Sequence, residues 1–302
     1  MDLQIPNGGA TAQKLRSRLK RRHRPRIRGP SFNRIIPNLM TLIGLCAGLT
    51  SIRFALDAAY GRAAAMIVLA GFIDGIDGRL ARLLKAVTRF GAEFDSLTDF
   101  LCFGVAPSLL LYLWSLRGMH GYGFVPCLIF SVCMALRLAR FNASLESGPA
   151  PAYTYNFFTG VPAPAGAGLA LFPLFLGLEA QSLGWNWLFA IAHFPLFSAF
   201  VLIGTAALLV STLPVWNFKN FKIPAHYVLP LLLGTGTFAA VLVADPWLAL
   251  AAAGIIYLVM LPFSVRSYRR LQAEAEALRE PPEAEQQPES TLNASASGAR
   301  PQ

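Results

Sequence analysis

Charge is what this sequence has least of. Only 14% of its 302 residues are charged and histidine occurs four times, whereas soluble domains carry about a quarter of their residues as Asp, Glu, Lys or Arg. An ordinary water-soluble fold is therefore excluded. Cysteine is as scarce: Cys46, Cys102, Cys127 and Cys133 lie in apolar stretches with no CxxC spacing. That pattern excludes a disulfide framework and a zinc site, and leaves packing as the expected role of the thiols. A cleavable signal peptide is not expected either, since the basic start is long and the first apolar stretch is too long and lacks a small-residue cleavage site.

Apolar residues are what the chain has instead, at 55% of the sequence with a mean hydropathy of +0.49. A run of about 20 such residues crosses a hydrocarbon core of roughly 30 Å as a helix, with every backbone hydrogen bond kept inside the segment. Eight runs meet this description, at about 34–56, 61–84, 93–116, 122–143, 162–179, 188–213, 225–243 and 246–265. The predicted fold is all-α, a polytopic membrane helical bundle. The stretch "ESGPAPAYTYNFFTGVPAPAG" at 146–166 is too rich in Pro and Gly to be one helix.

The net charge of +10 is almost all in one arm, "KLRSRLKRRHRPRIR", from Lys14 to Arg28. Beside a membrane helix such an arm is expected to meet anionic lipid, at about 1 kcal/mol per basic residue, in preference to nucleic acid. With the arm (1–33) on the cytoplasmic side, the positive-inside rule places Lys85 and Arg89, Arg137 and Arg140, Lys219 and Lys222, and Arg266, Arg269 and Arg270 on the same side. Only Arg53, Arg62 and Arg117 fall opposite. Both termini are then cytoplasmic, in the inner membrane of a bacterium. From about 271 to 302 the Pro, Glu, Gln and Ser enrichment predicts a disordered tail, and the two Asn-Ala-Ser triplets are read as chance.

Against this background the stretch "FIDGIDGRLARLLKAVTRFGAEFDSLTDF" (Phe72 to Phe100) is anomalous. Asp74 and Asp77 close the second run at i,i+3 spacing, and Asp95 and Asp99 open the third at i,i+4. Each pair shares a helix face, and an antiparallel helix pair brings all four together. A single charge at mid-bilayer costs about 2.5–3.5 kcal/mol on insertion scales, so four like charges require bound cations. Carboxylate oxygens suit Mg²⁺, Mn²⁺ or Ca²⁺, and two such ions about 3.5–4 Å apart form a clamp for phosphoryl groups. Gly75, Gly78 and Gly91 each weaken a helix by up to about 1 kcal/mol relative to Ala, which points to a close neighbour, either a ligand or another helix.

The spacing Asp74-x2-Asp77-Gly78-x2-Ala81-Arg82-x8-Gly91-x3-Asp95-x3-Asp99 resembles, without gap or substitution, the signature of the CDP-alcohol phosphatidyltransferases. "IPNLMTLIGLCAG", "DSLTDFLCFGVAPS", "ALRLARFN" and "FTGVPAPAGAG" look like the branch of that family whose acceptor is serine. The similarity covers roughly residues 34–213. Two further spans (214–270) and the tail lie outside it.

The resemblance implies that the L-serine hydroxyl attacks the lipid-linked phosphorus of CDP-diacylglycerol, giving phosphatidylserine and CMP. It implies metal ligation by Asp74, Asp77, Asp95 and Asp99, with Mg²⁺ or Mn²⁺ in a two-ion site and Asp99 as general base. The nucleotide is expected against Asp77, Gly78, Ala81, Arg82 and Gly91. Arg137 and Arg140, with Asn38 and Thr41, are the candidate acceptor or phosphate contacts, although topology alone and simple interhelical bonding account for them as well; Pro37 is read as a possible helix start. None of the histidines is assigned chemistry. A homodimer is a family expectation. Two competing readings remain: the same chemistry on glycerol 3-phosphate, inositol phosphate or another alcohol, and a divalent-cation transporter.

Overall fold

The computed structural model describes residues 32–84, 86, 88–146, 157–211, 213–216 and 225–277. The basic arm, Lys85, Lys219, Lys222 and the Asn293 triplet lie outside the described residues, as does the tail beyond Ala277.

The first two helices, α1 (Phe32–Leu56) and α2 (Tyr60–Leu83), form an antiparallel hairpin. Its turn is closed by Ala59 N–H donating to the Phe54 carbonyl at 2.8 Å, with Ala58 at φ 55°. Buried alanines on both helices, among them Ala47, Ala55, Ala63 and Ala70, let the backbones approach. Ser51 Oγ then reaches across to the Ala63 carbonyl at 2.8 Å. Pro37 lies inside α1 rather than at its start.

Helix α3 (Arg89–Asp99) begins on Thr88, whose Oγ1 accepts from Gly91 N–H at 3.0 Å and so satisfies an otherwise orphaned donor. It continues through a π-helical segment, Phe100–Val105, into α4 (Ala106–Trp114). A 3₁₀ segment (Leu116–Phe124) leads to α5 (Val125–Glu146). The bent pairs α6 (Ala163–Ala170) with α7 (Phe172–Ser182), at 47°, and α8 (Asn186–Ala192) with α9 (Pro195–Val210), at 51°, follow. The chain closes with α10 (Ala225–Ala244) and α11 (Pro246–Ala277).

Every expected run falls on one of these helices or bent pairs. Among the described residues four helices are long and apolar enough to be spans, within Ile35–Leu56, Arg89–Trp114, Gly121–Ser144 and Pro246–Tyr268, and up to six if each bent pair is one span. Helix α2 carries Arg62, Asp74, Asp77, Arg79 and Arg82 and so has no long uncharged stretch, and the apolar part of α10, Val228–Ala244, is short. The all-α bundle is as expected, with a small antiparallel ribbon of β1 (Phe157–Thr159) and β2 (Pro214–Trp216) added to it. A second difference is α11, which continues into the expected tail through "RRLQAEAEA", a run of strong helix formers.

Phe103, Phe130, Met134, Phe175, Leu202 and Leu209 are buried in one apolar core, where the π-helical segment packs against α4, α5 and α6 and α5 packs against α9. Outward positions are just as apolar, with Val243 86%, Leu229 76% and Phe72 68% exposed. Such a surface suits lipid and would be unfavourable in water. All four thiols are free, and the buried Cys102 and Cys127 donate to the carbonyls of Gly44 and Ser108 at 3.4 and 3.3 Å.

Candidate functional site

The hairpin α1–α2 and the C-terminal half of α3 place the aspartates. Carboxylate oxygens of Asp74, Asp95 and Asp99 lie within 4.8 Å of one another. Asp77 stands beside this group with a distinct partner: it is buried, and its Oδ2 accepts from Thr41 Oγ1 at 3.0 Å. Thr41 also lies 3.1 Å from the Pro37 carbonyl, which ties its hydroxyl to α1. All four carboxylates line one small cavity together with Thr41, Thr98 and Cys102.

Two features of this cavity escape sequence reasoning. Thr98 Oγ1 is buried there without a hydrogen-bond partner among the described residues. Its position three residues after Asp95, on the same helix face, was the available signal. The π-helical turn starts at the residue after Asp99, and such widened turns occur frequently at functional sites.

A divalent ion fits this donor set. Opposed oxygens around an octahedral Mg²⁺ are about 4.2 Å apart, and around Ca²⁺ about 5 Å. A spread of 4.8 Å therefore needs little adjustment to close on one ion. The orphaned Thr98 hydroxyl would offer a further oxygen to a bound ion or to its water.

A larger cavity of about 400 Å³ adjoins this one, since Thr41, Asp77 and Asp95 line both. Asn38, Gly78, Ala81, Arg82 and Gly91 complete its wall. The glycines separate here into two kinds. A Cβ on Gly75 or Gly78 would meet nothing within 4 Å, so helix packing does not explain them, and at Gly78 the free space is the cavity. A Cβ on Gly91 would lie 2.9 Å from Asn38 Oδ1 and 3.0 Å from Thr88 Oγ1, so Gly91 is needed where α1 meets the first turn of α3. Arg82 Nε donates to the Gly78 carbonyl at 3.0 Å, laying the side chain along α2 beside the cavity.

The two arginines of α5 also differ. Arg137 Nε donates to the Val161 carbonyl at 2.7 Å, and its guanidinium is within electrostatic reach of Asp74 and Asp99. Arg140 is turned away to the end of α9, donating to the carbonyls of Val210 at 2.7 Å and of Leu209 and Ser211 at 3.2 Å. These are carbonyls that a helix terminus leaves unpaired. Gly160, at φ 80°, permits that approach, because a Cβ there would lie 3.0 Å from Arg140 Nη2. A Ser96–Asn142 pair at 3.0 Å ties α3 to α5, and His193 packs on Trp114 and Phe189.

Comparison with known proteins agrees with this geometry. A family model described as CDP-alcohol phosphatidyltransferase matches residues 34–196, and a second, CDP-alcohol phosphatidyltransferase 2, matches 226–262. A Mycobacterium leprae (strain TN) protein named CDP-diacylglycerol–serine O-phosphatidyltransferase is 41% identical over 256 residues, covering 84% of this chain and 82% of the relative. Proteins of the same name from Mycobacterium tuberculosis (H37Rv) and Helicobacter pylori (26695) are 40% and 35% identical, over 86% and 62% of this chain and 88% and 74% of theirs.

Proposed function

The chain belongs to the CDP-alcohol phosphatidyltransferase family, and on that premise we propose that it transfers the phosphatidyl group of CDP-diacylglycerol to the hydroxyl of L-serine, releasing CMP. The observation that carries this reading is the convergence of Asp74, Asp95 and Asp99 beside a cavity walled by Gly78, Ala81 and Arg82. The names of the relatives support serine as the acceptor.

In this reading Asp74, Asp77, Asp95 and Asp99 would hold Mg²⁺ or Mn²⁺ in a two-ion site. When bound, the metal supplies Lewis-acid neutralisation of the pyrophosphate charge. The space beside Gly78 admits the cytidine diphosphate, with Ala81 adding little bulk and Arg82 near the phosphates. Thr41 holds Asp77 in place through its 3.0 Å hydrogen bond. Asp99 accepts the proton of the serine hydroxyl as that oxygen attacks the lipid-linked phosphorus, and the bond to CMP breaks. Arg137 pairs with an acceptor or phosphate oxyanion, while Arg140 holds the end of α9 for it. The site opens to the cytoplasmic leaflet, where the positive-inside pattern puts these helix ends, and the chain acts as a homodimer.

Incubation of the purified chain with CDP-diacylglycerol, Mn²⁺ and each labelled acceptor in turn tests the assignment. Phosphatidylserine is the expected product. Reaction with glycerol 3-phosphate or an inositol phosphate but not with serine would reject the acceptor, and Mn²⁺ uptake into liposomes without any CMP release would favour transport.

A further inference from the structure

Helix α11 lies outside the stretch matched by the larger family model, yet it lines a cavity that shares Phe103 with the carboxylate pocket. Its Tyr257 has a buried hydroxyl with no hydrogen-bond partner among the described residues. A buried phenol ordinarily finds one, because a donor taken out of water and left unpaired is unfavourable.

The surroundings of Tyr257 indicate what the partner is. The residue lines an apolar cavity of about 290 Å³ with Gly71, Phe103, Leu169 and Gly254. Phe103 also lines the carboxylate pocket, so the two spaces adjoin. The Tyr257 oxygen is within electrostatic reach of Arg137. Arg137 commits only Nε to the protein, at the Val161 carbonyl, and its two Nη groups have no partner among the described residues. The unpartnered phenol and this guanidinium are thus within electrostatic reach of each other, the guanidinium also of Asp74 and Asp99, and the chemistry that satisfies two such donors together is an oxyanion.

We propose that Tyr257 is a substrate-binding residue contributed by the last helix, its hydroxyl donating to an oxyanion of bound substrate that Arg137 pairs with at the same time. The inference rests on phosphatidyl transfer as the reaction. Two substrates offer such a group, the acceptor through its carboxylate and the lipid donor through its phosphate. The apolar cavity explains why a tyrosine stands here: its ring continues the greasy wall and its tip is polar.

Steady-state kinetics of the full-length chain in mixed micelles, wild type against Tyr257→Phe, test this. The variant keeps the ring and loses only the oxygen. About a ten-fold or greater rise in one KM is expected for a lost hydrogen bond to a charged partner, with a thermal midpoint unchanged or higher, because an unpaired buried hydroxyl has gone. A rise in KM for serine identifies the carboxylate, and a rise in KM for CDP-diacylglycerol identifies the phosphate. Both KM values and kcat within two-fold of wild type would overturn the proposal, as would a fall in thermal midpoint that accounts for the lost activity. Wild-type turnover with serine checks phosphatidyl transfer separately, so the two readings fail apart.

Discussion

At the scale of single residues, the aspartates and the glycines make separable demands. Asp99→Asn keeps the shape of the side chain and removes its basicity, so turnover is expected to fall by about 10²–10⁴-fold while CDP-diacylglycerol binding stays measurable by calorimetry. Asp95→Asn is expected to lose Mn²⁺ dependence together with activity. Normal rates in both variants would refute the roles given to them. Gly78→Ala probes the empty space directly. Alanine should raise helix stability by up to about 1 kcal/mol, and nothing lies within 4 Å to oppose the new methyl, yet CMP release should drop because the methyl projects where the nucleotide belongs. The aspartate spacing was legible in the sequence because i,i+3 and i,i+4 positions share a helix face whatever the tertiary structure. The orphaned hydroxyls of Thr98 and Tyr257 were not, since an unsatisfied donor is defined only by neighbours that distant segments bring in.

Among the elements, the helices stand close to their expected boundaries because hydrophobic run length decides them. Their interruptions were harder to read. The breaks before α7 and α9 had a visible signal in Pro173 and Pro195, which sit in the first turn of the new helices. The π-helical turn after Asp99 and the β1–β2 ribbon had none, since both depend on packing across the bundle. Arg140 illustrates the same limit: its spacing from Arg137 suggested a shared substrate role, but the structure sends it to three carbonyls at the end of α9. Arg140→Ala is therefore expected to destabilise the protein by about 1–3 kcal/mol, the range for hydrogen bonds lost from a charged donor at a partly exposed site. Thermal unfolding in detergent would register this, while kcat per folded molecule stays near wild type. Arg140→Lys should rescue little, because one ammonium cannot match the planar fork.

For the molecule as a whole, lipid-facing side chains and a polar site near helix ends describe a chemistry carried out at a membrane surface. The charge distribution predicts which side that site faces, because basic residues gather on one set of helix ends. What α11 does could not be read from the charge pattern, since the electrostatic interaction of its Tyr257 with Arg137 joins residues far apart in the chain. Orientation is open to a direct check: on intact cells a membrane-impermeant maleimide should label Ala58→Cys, and should label Arg89→Cys only after permeabilisation. The reverse pattern would put the site on the wrong leaflet. The most direct test of the central claim is serine-dependent CMP release from CDP-diacylglycerol by the purified chain, stripped of metal with EDTA and then titrated with Mn²⁺. The expected result is no release from the stripped protein and saturable recovery as Mn²⁺ returns. Full-rate release in excess chelator, or recovery that survives loss of all four aspartates, would contradict it.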